Sequence, residues 1–139
     1  MTPEELAHIH AAAFTQSRPW AASEFADLLA SRFAHLVGNT QSFALFQVIA
    51  DEAELLTIAT HPNHQRQGHA RQIMAEWHAE AQRLGASRAF LEVAEDNSAA
   101  IALYSACGYT PRATRKAYYL RENGPNVDAI VMECHLIHK

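Results

Sequence analysis

The sequence predicts an α/β fold, one domain over residues 1–139, with a mixed central sheet flanked by helices on both faces. Three observations carry that expectation. Apolar residues recur at helical spacing near the N-terminus, turn strand-like from Ser42, and alternate between the two periods thereafter. Helix boundaries are punctuated by Thr2-Pro3 and Asn97 as starts and by Gly85 and Gly108 as stops. The 139 residues, 49% hydrophobic and 19% charged, suffice for one buried core and differ from a disordered composition.

Each element has its own signal. Thr2-Pro3-Glu4-Glu5 offers a capping hydroxyl, proline at the first helical position and a carboxylate that caps back, so a helix should run to residue 13 or 14. Arg18-Pro19-Trp20 breaks the chain, and a second helix is expected over residues 22–31, where Phe25, Leu28 and Leu29 share a face. Residues 42–49 and 54–59 read as strands joined by a turn at Ala50-Asp51-Glu52. Pro62 and Asn63 mark a loop. After Gly68 the positions Ile73, Met74, Trp77, Ala81 and Leu84 define a long helix, with Gly85 placed to end it. Residues 88–93 return to strand, Asn97 caps a helix over 98–106, and residues 115–120 and 129–136 close the chain as two strands. Residues between the second helix and the first strand carry no clear period, so the expected order is α-α-β-β-α-β-α-β-β.

Charge and composition exclude several classes. A net charge of −4 argues against general nucleic-acid binding, which needs clustered Lys and Arg. Secretory and membrane-spanning signals are missing, so a cytoplasmic, reducing setting is expected. Cys107 and Cys134 form no spaced framework and read as small buried hydrophobes. Nine histidines raise the question of a metal. However, His8 and His10 point to different helix faces, and His61 and His64 lie in a proline-bearing loop without cysteine ligands, so no metal is expected. Trp20 and Trp77 read as packing groups.

The sharpest local feature is Gln65-Arg66-Gln67-Gly68-His69-Ala70, between a strand and a long helix. A helix N-terminus presents unpaired N–H groups and the positive end of the helix dipole to an anion. Gly68 leaves room for the backbone to approach a phosphate, Ala70 continues that clearance, and Arg66 and Arg71 add positive charge. Neither a Gly-Lys-Ser/Thr ending nor a full dinucleotide glycine set is present, so the anion is neither a nucleoside triphosphate nor NAD. A polar loop with one glycine is the plainer alternative.

This Gln-x-x-Gly-x-Ala segment follows a strand ending Leu55-Leu56-Thr57-Ile58-Ala59-Thr60 and resembles the acetyl-CoA signature of the GNAT N-acetyltransferases. The block from Leu91-Glu92-Val93 through Asn97 to Tyr104, with Gly108-Tyr109 after it, resembles the ribosomal-protein-alanine N-acetyltransferases within that superfamily. Arg115-Lys116-Ala117-Tyr118-Tyr119 and Pro19-Trp20 resemble further segments of the same enzymes. The likeness is strong over residues 54–134 and thin before them.

The resemblance implies a GNAT fold and an enzyme that binds acetyl-CoA and an acceptor amine together, the amine attacking the thioester directly. The acceptor it implies is a protein N-terminal α-amine, with a ribosomal protein as the expected partner; no nucleic acid or membrane is implied. Glu92 would be the proton acceptor, against the plainer reading of a solvated strand-end carboxylate. Tyr104 would donate a proton to the departing thiolate, a role compatible with core packing beside Ile101. Backbone groups of Ile58, Ala59 and Thr60 would meet the pantetheine arm and thioester. Arg66, Gln67, Gly68, His69, Ala70 and Arg71 would surround the pyrophosphate. Asn97 would either cap its own helix or contact the cofactor. Tyr118 and Tyr119 would hold the acceptor peptide, or simply alternate on a strand.

An α-amine has a pKa of about 7.8 and a lysine about 10.4, which makes the free-base fraction of the former several hundredfold larger near neutrality. A single carboxylate base therefore suits an α-amine better. Three positions depart from the family pattern: where Arg and Ser are common this chain has Ala94 and Asp96, which changes the charge beside the cleft, and Ala70 stands where the superfamily has its second glycine. Acetylation of a lysine or a small amine, and a non-catalytic acyl-CoA-binding module, stay open as alternatives.

Overall fold

The computed structural model describes residues 1–13, 20–62, 68–119, 121 and 124–136. Helix α1 (Pro3–Ala13) opens on the expected reciprocal cap: the Glu5 amide donates to Thr2 Oγ1 at 3.1 Å and the Thr2 amide to Glu5 Oε1 at 2.9 Å. Helix α2 (Ala22–Leu29) follows. Strands β1 (Ala34–Gly38), β2 (Ser42–Ile49) and β3 (Glu52–Thr60) form an antiparallel meander, with Ala50 at φ 57° in the β2–β3 turn. Then come α3 (His69–Arg83), β4 (Arg88–Ala94), α4 (Ser98–Ala106), β5 (Thr110–Tyr119) and β6 (Val127–His135).

The six strands run in the order β1-β2-β3-β4-β6-β5, with β3 and β4 parallel and every other neighbouring pair antiparallel. The two faces of β2 show why the sheet is covered on both sides. Phe43 and Leu45 pack with Leu6, Ile9 and Phe25 of α1 and α2, whereas Ala44 and Phe46 pack with Ile73, Met74 and Trp77 of α3 and with Tyr104 of α4. This period of two sends alternate side chains into two separate apolar layers. Trp77 is fully buried, its ring 5.4 Å from Phe46, and Trp20 is half-buried against His10 at 5.3 Å. Cys107 and Cys134 are free thiols and only half-buried, less enclosed than expected.

Two strands differ from expectation. β1 carries no clear apolar alternation, and its residues are mostly half-buried at the sheet edge, so nothing in its sequence marked it. β5 begins at Thr110 rather than 115. Being the other edge strand, it is exposed along nearly its whole length and tolerates Pro111, whose missing N–H would break an inner strand.

The feature that shapes the site is a separation of β3 from β4. Their paired register covers Glu52↔Arg88 to Glu54↔Phe90 and goes no further, although β3 continues to Thr60 and β4 to Ala94. A bulge starts just there: Leu45 faces Thr57 and Phe46 faces Leu55, leaving Leu56 as the extra residue in β3. A bulge bends and twists its strand. It also changes which side chains face which layer, since Ala53 and Leu55 pack under α3 whereas Ala59 packs under α1 and α2.

Candidate functional site

Past Glu54, β3 is paired to β2 alone, so the edge of residues 55–60 turned toward β4 lines a gap. Ile58, Ala59 and Thr60 occupy that edge. Thr60 is held from behind by its hydroxyl contact with Ser42 Oγ at 2.9 Å, and the His61 amide donates to Gln41 O at 2.8 Å. Beneath the bulge the buried His10 of α1 accepts the Trp20 amide at Nδ1 (3.0 Å), so its Nε2 carries the proton that is donated to Thr57 Oγ1 at 3.1 Å. Sequence reasoning weighed His10 only as a metal ligand. Its position is that of a neutral strut tying α1 to β3.

At the far end of β3 the chain reaches α3. Gly68 is its N-cap residue in the left-handed region at φ 82°, and no acidic residue stands in its first turn. Among the described residues no side chain caps the helix, and a Cβ on Gly68 would meet nothing within 4 Å. His69 and Ala70 are half-buried there and Arg71 is exposed. Arg66 and Gln67 lie outside the described residues.

Across the gap, β4 carries Glu92 on one face and Leu91 and Val93 on the other, the latter two packed with Tyr104. Glu92 therefore lies on the face of α1 and α2, and Tyr104 under the opposite layer, with the β3–β4 gap between them. The Glu92 side chain is 17% exposed and forms an ion pair with Arg115, whose Nε lies 3.1 Å from Oε1. Register explains the reach: Arg115 of β5 faces Ala129 of β6, which faces Ala94 of β4, and these small side chains let the guanidinium lean across to Glu92. Tyr104 is 6% exposed, and burial pushes its phenol well above the ordinary value, so it keeps its proton at any neutral pH.

Asn97 caps α4, its Oδ1 accepting the Ala100 amide at 3.2 Å, which satisfies the capping alternative. Tyr118 is 49% exposed and Tyr119 half-buried, with their rings edge-to-face at 5.2 Å. Burial, then the nearby Glu92 charge, pushes the Tyr119 phenol up to about 12. Among the described residues there is no group of three or more His, Cys, Asp or Glu able to hold a metal ion, and no helix long and apolar enough to cross a membrane. An open cavity lined by Glu4, Glu5, His8, Ile9, Thr40 and His61 lies beside α1 and shares none of the residues of the gap.

A parallel pair of strands thus separates beside the start of α3, with a carboxylate and a buried phenol on opposite faces of the sheet. The Acetyltransferase (GNAT) family matches residues 5–109, and the chain belongs to that family as an acetyl-CoA-dependent N-acetyltransferase. It is similar to the [Ribosomal protein bS18]-alanine N-acetyltransferase of Escherichia coli K12, at 36% identity over 118 residues covering 82% of this chain and 79% of that enzyme. The enzyme of the same name from Haemophilus influenzae is 32% identical over 122 residues, covering 85% and 83%. The crystal structure of the E. coli ribosomal-protein-S18-alanine N-acetyltransferase superposes with a TM-score of 0.87 at 32% identity, covering 99% of this chain and 89% of that one. Arabidopsis thaliana NAA60 in complex with acetyl-CoA shares the fold, with a TM-score of 0.81 at 16% identity over 96% and 93% of the two chains.

Proposed function

We propose that this enzyme acetylates the N-terminal α-amine of a protein, with the alanine terminus of ribosomal protein bS18 as its acceptor and acetyl-CoA as donor. The observation that carries this reading is the placement of Glu92 and Tyr104 on opposite faces of the β3–β4 gap, together with relatives named for that substrate at 30–36% identity.

The acetyl-CoA thioester lies in the gap, its pantetheine along Ile58, Ala59 and Thr60, where backbone N–H groups polarise the carbonyl oxygen. The pyrophosphate rests on the start of α3, held by the amides from Gly68 to Arg71 and by Arg66 and Gln67 before them. Asn97, at the start of α4, borders the same cofactor. The acceptor amine enters from the Glu92 face, beside Tyr118 and Tyr119. Its nitrogen forms a bond to the carbonyl carbon and gives its proton to the Glu92 carboxylate. The C–S bond then breaks, and the thiolate takes the Tyr104 proton, leaving an acetylated amine and CoA. Glu92 loses its proton to water and Tyr104 regains one, which returns the enzyme to its starting state.

The test is turnover of peptides copying the bS18 N-terminus, read as a mass gain at the α-amine. Acetylation of the alanine-starting peptide in preference to its Nα-blocked, lysine-containing counterpart is the expected result.

A further inference from the structure

Asp96 and Arg121 lie 25 positions apart, in the β4–α4 loop and just after β5, yet form a two-pronged pair: Arg121 Nη2 donates to Asp96 Oδ1 at 2.9 Å and Nε to Oδ2 at 3.2 Å. Most exposed ion pairs contribute little, because both side chains stay mobile and hydrated. This one is different in its cation: the Arg121 side chain is only 12% exposed. A planar guanidinium held at two points has a fixed orientation.

What that orientation fixes can be followed contact by contact. Arg121 stands 5.8 Å over the Tyr119 ring, Tyr119 packs on Tyr118 at 5.2 Å, Arg115 stands 5.5 Å over Tyr118, and Arg115 reaches Glu92 at 3.1 Å. Two Arg–carboxylate pairs thus bracket the tyrosine pair on the acceptor face. The backbone between them needs such holding. Residues 116–118 of β5 bulge opposite Asp128 alone, Ala117 sits in the left-handed region at φ 50°, and Asp128 Oδ1 accepts its amide at 2.8 Å. Tyr119 re-enters the ladder opposite Val127 only after this bulge. Asp96 is also one of the positions at which the chain departs from the pattern it resembles, and Arg121 is its partner from the other wall.

We propose that the Asp96–Arg121 pair is a positioning device for the acceptor: it sets the Tyr119 ring beside Glu92 and so fixes how the incoming peptide terminus is received, without touching acetyl-CoA. The proposal rests on the acceptor-face assignment made above.

The experiment is a double-mutant cycle with Asp96→Asn and Arg121→Gln, read as acceptor-peptide KM, acetyl-CoA KM and kcat, with calorimetric binding of the same peptide to the CoA complex. Each single variant should raise the acceptor KM and the peptide Kd about tenfold, and the double variant no further, because both remove one interaction. Acetyl-CoA KM and kcat at saturating peptide should stay within about twofold. Arg121→Lys, which keeps the charge and loses the fork, should behave like Arg121→Gln. Wild-type turnover with an unchanged acceptor KM in the variants, or an equal rise in acetyl-CoA KM, overturns the inference alone. A wild-type CoA complex that binds and acetylates no peptide overturns the acceptor reading and the inference with it.

Discussion

The Arg115 guanidinium pairs with the Glu92 carboxylate, Nε to Oε1 at 3.1 Å, from a strand that is not adjacent to the one bearing Glu92. The contact spans β6, over Ala129, and it orients the carboxylate on that face of the sheet. A group proposed to take a proton from an amine needs a fixed orientation.

Glu92→Gln is therefore expected to lower kcat/KM for the peptide by about 10²- to 10⁴-fold, the usual contribution of a positioned base. The acetyl-CoA KM should change little, since Glu92 lies on the face away from the α3 layer. Steady-state kinetics with each substrate varied in turn separates the two effects.

Tyr104→Phe removes the proposed thiolate donor and keeps the buried ring. The ring packs 6.0 Å from Tyr109 under the α3–α4 layer, so melting temperature should change modestly while kcat falls by about 10²-fold or more. Free-thiol release measured beside thermal melts distinguishes a catalytic loss from an unfolded variant.

Gly68→Ala and Gly38→Ala should fail in different ways. Both glycines have positive φ, but among the described residues a Cβ at Gly68 meets nothing within 4 Å, whereas at Gly38 it would stand 2.2 Å from Ser42 O and 2.7 Å from Phe43 Cα. Gly68→Ala is expected to cost about 1–2 kcal/mol in backbone strain and to raise the acetyl-CoA KM. Gly38→Ala should lower the melting temperature far more, because strand backbone must move, with no selective effect on acetyl-CoA. Melting curves with and without CoA read both.

His78 gives the pH dependence of stability. Its Nε2 lies 2.7 Å from the Tyr109 hydroxyl, and burial pushes its pKa down from 6.5 to about 4. Between those values the unfolded chain binds a proton at this site and the folded chain does not. Stability should therefore fall as pH drops from about 6.5 toward 4, by at most about 3 kcal/mol from this residue. His78→Gln, which keeps an acceptor for Tyr109, should flatten that part of the melting-temperature profile.

Local signals in the chain reached most of this architecture because most elements carry their own punctuation. Thr2, Asn97, Gly85 and Gly108 mark helix ends by chemistry that acts within four residues, and Ile73 to Leu84 repeats at helical spacing around a buried Trp77. The two edge strands resisted, since an edge strand need not alternate: β1 is mostly half-buried and β5 is largely exposed and holds Pro111. At the site, Glu92 and Tyr104 were reached through the resemblance of their block. That they lie on opposite faces of a sheet whose β3–β4 pairing is lost after Glu54 has no local sequence signal. Long-range partners such as His10 with Thr57 and Asp96 with Arg121 have no sequence signature, because nothing local relates residues 47 or 25 positions apart.

The most direct test of the account is to incubate the enzyme with acetyl-CoA and an alanine-starting bS18 peptide, with Glu92→Gln and Tyr104→Phe alongside, and to read mass gain and free thiol together. The account predicts one acetyl group at the α-amine per thiol released by the wild type, and a sharp fall in both readings for each variant. Tight CoA binding with no acetylation of this peptide, or wild-type rates in the Glu92→Gln variant, would contradict it.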